Sequence, residues 1–139
     1  SLLIQVKIKS SPEAALVALQ RAPTHLVRSK MAEMNAIEGV YWTMVDSAQA
    51  ALITAGKMPP SPEYVGDMLK EAFVDTGMLQ AGYVKAFNDL FAMHKSISHG
   101  KVSEVKGSEI DRWQDIAEKF MGEMTALVNK LIDIKKNQL

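Results

Sequence analysis

Residues 108–134 read SEIDRWQDIAEKFMGEMTALVNKLIDI. Ile110, Trp113, Ala117, Phe120, Met124, Leu127, Leu131 and Ile134 recur along it in steps of three and four without a break. That repeat is one face of an α-helix. Sustained over this length, it means near-parallel packing against other helices at a small crossing angle. Ser108 is placed to cap this helix, with Glu109 and Asp111 in its first turn.

Working back toward the N-terminus, residues 78–99 predict a second such helix. Leu79, Tyr83, Phe87, Leu90, His94 and Ile97 lie on one stripe, and Gly100 ends it. Ser61-Pro62-Glu63 starts a shorter helix that runs to about residue 74, where Asp75-Thr76-Gly77 stops it. Before it, Pro59, Pro60 and Pro62 forbid a continuous helix. Residues 24–55 predict the longest helix. Its core face is Val27, Met31, Met34, Tyr41, Val45, Ala48, Leu52 and Ala55, and Gly56 is its stop. Pro23 is expected to separate it from a short helix that starts at Ser11-Pro12-Glu13. Residues 2–8, LLIQVKI, alternate with a period of two and predict a lone extended segment. The expected fold is therefore all-α. It is an up-and-down bundle of four to five helices over residues 11–139, with an extended arm or linker at residues 1–10.

Composition agrees. The chain has 139 residues, 47% hydrophobic and 23% charged, a size and balance that fit one globular domain. It has no cysteine, which excludes disulfides, thiolate metal sites and thiol catalysis. Sixteen Lys and Arg against sixteen Asp and Glu argue against a strongly basic nucleic-acid binder. The most apolar stretch, residues 39–56, is interrupted by Asp46, so no membrane span is expected. Lys7 and Lys9 disfavour a signal peptide. A cytoplasmic protein is the expectation. Gly39, Gly82 and Gly122 fall inside predicted helices at a cost of about 1 kcal/mol each, and close helix approach is the expected compensation. The nine methionines read as irregular core filler or, alternatively, as a flexible sticky surface.

No phosphate loop, HExxH, GxSxG or calcium loop is present. Two stretches remain. Met93-His94-Lys95-Ser96-Ile97-Ser98-His99-Gly100 ends a helix with two of the three histidines. Lys95 and His99 share a helix face. His94 and His99 lie about 140° apart around the helix, too far to share one metal ion, and neither metal nor cofactor is expected. From His94 to Lys106 there are three lysines against one glutamate, a pattern that suits a solvated turn or an anionic ligand. The other stretch is Glu38, Trp42, Asp46 and Gln49, a polar stripe beside the core face. It reads either as a solvated edge or as the wall of a groove facing Lys95 or His99.

Tyr41-Trp42, Asp46-Ser47-Ala48-Gln49-Ala50-Ala51-Leu52, Gly56, Pro59-Pro60-Ser61-Pro62 and the His94-to-Gly100 stretch together resemble the HEPN family of helical domains. The segment Val105-Lys106-Gly107-Ser108-Glu109-Ile110-Asp111, with residues 117–120, looks like its archaeal branch, in which the bundle follows a minimal nucleotidyltransferase domain in one chain. The resemblance covers roughly residues 24–134. It implies a bundle that is usually a homodimer and that partners a nucleotidyltransferase in cis or in trans. Some members are ribonucleases that use an Arg, four to six residues, then a His. Others resemble the helical substrate-binding domain of kanamycin nucleotidyltransferase and do no chemistry. His99 matches the family histidine, but residues 78–99 contain no Arg. Lys95 is the nearest cation, and it cannot reproduce a planar guanidinium.

The leading expectation is thus a non-catalytic domain that helps bind a nucleotide or another small anionic ligand, and that dimerises. Lys95, His99 and His94 would contact the ligand, with Glu38, Asp46 and Gln49 lining the site. The alternatives are a ribonuclease with His99 moving the proton, and a plain assembly module. The lone segment at 2–8 fits a strand belonging to a preceding domain of a longer chain.

Overall fold

The computed structural model describes residues 12–138. They form four helices: α1 Pro12–Thr54, α2 Val65–Leu69, α3 Ala81–Ser98 and α4 Gly107–Asn137. Among the described residues there is no strand. The expected arm at residues 1–10 and the Ser11 cap lie outside them. The chain divides into two compact units, Ser1–Ala32 and Glu33–Leu139.

In the first unit the described residues are helical and largely exposed. The expected break at Pro23 is absent; α1 runs through it. Pro23 lacks the N–H that would bond the Leu19 carbonyl. Leu19 is 68% exposed, so water can donate to that carbonyl and the helix survives the loss. Val27 and Met31, expected in the core, are exposed as well. An apolar spacing buries a residue only where another element lies opposite.

The second unit holds the core. From α1 come Ile37, Tyr41, Met44, Val45, Ala48 and Leu52, from α3 Phe87 and Leu90, and from α4 Trp113, Ala117, Phe120, Met124 and Leu127. Phe120 lies between α3 rings, 6.1 Å from Phe87 and 6.4 Å from Tyr83. The α1 and α4 helices run in the same direction. Ala36 and Gln114 line one depression, Asp46 and Thr125 the next, and Lys135 Nζ donates to the Thr54 carbonyl at the end of α1. That bond completes a helix end at which the Gly56 and Lys57 N–H groups already take the Ile53 and Leu52 carbonyls. Ile134, expected on the core stripe, is exposed because α1 stops at that level. Leu131, Tyr83, Ile97 and His94 are half-buried. Of the methionines, Met44 and Met124 fill the core, whereas Met31, Met58 and Met121 are exposed.

The short segment before α3 is a composite. A 3-10 turn at Pro62–Tyr64 leads into α2, and a π-helical turn at Lys70–Val74 follows. The wider π winding brings residues five apart into line. Asp75 N–H bonds the Lys70 carbonyl at 2.9 Å, and Lys70 Nζ meets Asp75 Oδ1 at 3.0 Å. Pro59 and Val105 anchor the two longer connections by being buried.

Helix α4 begins two residues earlier than a Ser108 cap would place it. Lys106 is the N-cap, and no side chain caps that end. Gly39, Gly82 and Gly122 do not mark close helix contacts: a Cβ at any of them would meet nothing within 4 Å. The close approach is at Gly66, where a Cβ would collide with the Asn88 carboxamide of α3.

Candidate functional site

The C-terminal end of α3 is set by Gly100, whose φ of +71° is the left-handed conformation that glycine adopts most readily. That turn folds the chain back on the helix. Gly100 N–H donates to the Ile97 carbonyl at 3.0 Å and Lys101 N–H to the Ser96 carbonyl at 2.9 Å. His99 N–H donates to the Lys95 carbonyl at 3.0 Å. This is a Schellman closure, and it satisfies carbonyls that would otherwise present negative charge at the helix end. Lys95 and His99 are both exposed there, and exposed Lys101 and Lys106 follow in the connection to α4. Among the described residues, none of these four cations is in an ion pair. The arrangement favours an anion, because these four cations stand against one carboxylate in the same stretch, Glu104.

One turn earlier in α3, His94 faces α1. Its ring stacks on Tyr41 with centroids 3.7 Å apart and planes within 6°. Its Nε2 lies 3.5 Å from Glu38 Oε2, too long for a good hydrogen bond, and this buried nitrogen has no hydrogen-bond partner. The other carboxylate oxygen, Glu38 Oε1, accepts from Trp42 Nε1 at 3.3 Å. Tyr41 meets Trp42 edge-on, with centroids 5.2 Å apart at 78°. Burial pushes the Tyr41 phenol above its ordinary pKa of 10.0, and the Glu38 carboxylate adds to the shift.

The structure therefore brings Glu38 and His94 together. It turns Asp46 elsewhere, into the α1–α4 depression of about 360 Å³ with Met124, Thr125 and Val128. Gln49 is half-buried on α1. The polar stripe thus splits between two faces of α1, and its partner from α3 is His94 instead of Lys95 or His99. Trp42, a member of that stripe, and Tyr41, expected only on the core face, belong to the same cluster. The Glu38–Trp42 bond could have been anticipated from the i, i+4 spacing. The Tyr41–His94 stack joins two helices, and no local spacing announces it.

Among the described residues, no group of three or more His, Asp or Glu side chains is placed to hold a metal ion. None of their helices is long and apolar enough to cross a membrane. No protein-family model, curated protein or solved structure matches the chain.

Proposed function

We propose that this chain carries a HEPN-type helical domain that works beside a nucleotidyltransferase domain, helping to hold its nucleotide or acceptor substrate as a homodimer. The observation that carries the ligand-binding part is the cationic end of α3. Lys95 and His99 share an exposed face, Lys101 and Lys106 follow, and the helix carbonyls that would repel an anion are occupied by backbone N–H groups. Lysine ammonium groups suit a phosphate as point charges, without the two-pronged geometry of a guanidinium. With no arginine in α3, binding is favoured over RNA cleavage.

Titrating ATP and GTP against the wild-type chain and against Lys95→Ala tests this reading. Affinity should fall about tenfold in the variant, the scale of one lost charge-assisted contact. Equal affinity in both proteins removes the role of Lys95. Cleavage of single-stranded RNA that disappears in His99→Ala would replace binding with catalysis.

A further inference from the structure

Trp42 is 47% exposed, whereas the only other tryptophan, Trp113, is 4% exposed. An exposed indole is ordinarily free to change rotamer. This one is held on two sides, by its N–H bond to Glu38 and by the edge contact with Tyr41. Tyr41 is itself clamped by the stacked His94, and His94 Nε2 faces the second oxygen of Glu38. The result is an outward aromatic surface with an oriented carboxylate at its rim. Glu38 keeps a side-chain exposure of 55%, so its remaining lone pairs are open to solvent.

We propose that Trp42 and Glu38 form a nucleobase subsite that prefers guanine. The proposal rests on the nucleotide-binding reading above and adds the base to it. A flat heterocycle stacks on an indole face with a gain of about 1–3 kcal/mol. The rim then selects, because an ionised carboxylate only accepts hydrogen bonds. Guanine presents two neighbouring donors, its ring N1–H and its 2-amino group, which match the two oxygens. Adenine and cytosine present one amino group beside a ring acceptor, and uracil presents one N–H flanked by carbonyls. Those acceptors would face the carboxylate and be repelled. Phosphates are excluded from this spot for the same reason, which leaves them to the lysines at the end of α3. Lys95 directly follows His94, the α3 residue that faces Glu38, so the two subsites adjoin where α3 meets α1.

The test uses nucleosides, which have no phosphate, and the emission of the two tryptophans. Guanosine, inosine, adenosine and uridine are titrated into the full chain with excitation at the red edge of indole absorption. Guanosine should quench saturably and most tightly, and inosine, without the 2-amino group, should bind several-fold more weakly. Trp42→Leu should abolish the quenching while Trp113 emission continues to report a folded core. Glu38→Gln can still accept from the indole N–H, but its amide would oppose the guanine donors. It should weaken guanosine about tenfold and leave adenosine nearly unchanged. Absence of saturable quenching, quenching that survives Trp42→Leu, or unchanged guanosine affinity in Glu38→Gln overturns the base subsite. Calorimetry with tripolyphosphate separates the two readings. Lys95-dependent tripolyphosphate binding without guanosine binding ends the base subsite alone. Guanosine binding without tripolyphosphate binding supports the base subsite and ends the phosphate reading.

Discussion

Tyr41 sits at the centre of the aromatic cluster, stacked on His94 and meeting Trp42 edge-on. Its phenol is harder to ionise in the folded chain, first because burial removes water from the phenolate and then because Glu38 repels it. Tyr83 shifts in the same direction, through burial, the nearby Glu123 charge and a hydrogen bond to Glu123. The linkage follows. A group whose pKa is raised on folding binds its proton more tightly in the native state. The stability associated with the neutral phenols is fully present below the ordinary value of 10.0 and is lost as pH rises through the raised folded values. Urea unfolding midpoints should therefore fall as pH is raised beyond 10.0, the ordinary value for both groups. The double variant Tyr41→Phe, Tyr83→Phe should show a flatter fall over that range. An identical alkaline slope in wild type and double variant would exclude these two phenols as the cause.

At the scale of the element, glycines in these helices fall into two classes. Gly56, Gly77 and Gly100 all end helical segments with φ between 71° and 80°. Their role as stops was legible, because glycine shortly after the last apolar position of a helical stripe is a local signal. Gly39 and Gly122 lie inside α1 and α4, where the expected reason for them, close packing, is absent. Opposite outcomes follow. Gly100→Ala forces a Cβ into the left-handed region and should cost about 1 kcal/mol. Gly39→Ala removes backbone freedom from the unfolded chain at a helical position with open space, and should add about 1 kcal/mol. Denaturant titration of both single variants checks the signs. A shared sign would show that propensity and backbone conformation do not govern these positions. Helix α1 likewise runs through Pro23, where a break was expected. A proline is a strong local signal against helix, at a cost of about 3 kcal/mol or more, yet it removes one bond of the ladder and leaves the rest of the helix intact.

For the molecule as a whole, the all-helical class was legible because it is written in local periodicity. The unbroken stripe from Ile110 to Leu127 is buried at each expected position. What periodicity leaves open is which stripes find a partner. Val27 and Met31 have the same spacing as Tyr41 and Val45, yet the first pair is exposed and the second buried. Likewise, the sequence placed Glu38 and His94 among the site residues but did not join them, since their contact depends on how α3 packs against α1. A pair of substitutions tests this division between apolar positions that hold the fold and those that merely look as if they do. Phe120 is fully buried and meets two aromatic rings of α3. Phe120→Ala removes those contacts and leaves a cavity, an effect of about 3–5 kcal/mol. That is a large share of the roughly 5–15 kcal/mol by which a domain of this kind is stable. Leu19, at 68% exposure, contributes little buried area, so Leu19→Ala should change stability by less than about 0.5 kcal/mol. The comparison is made by thermal and urea unfolding of the same full chain, followed by far-ultraviolet circular dichroism. If Leu19→Ala destabilises the protein as much as Phe120→Ala, then the residues before Glu33 are covered in solution, and their apolar stripe does structural work there.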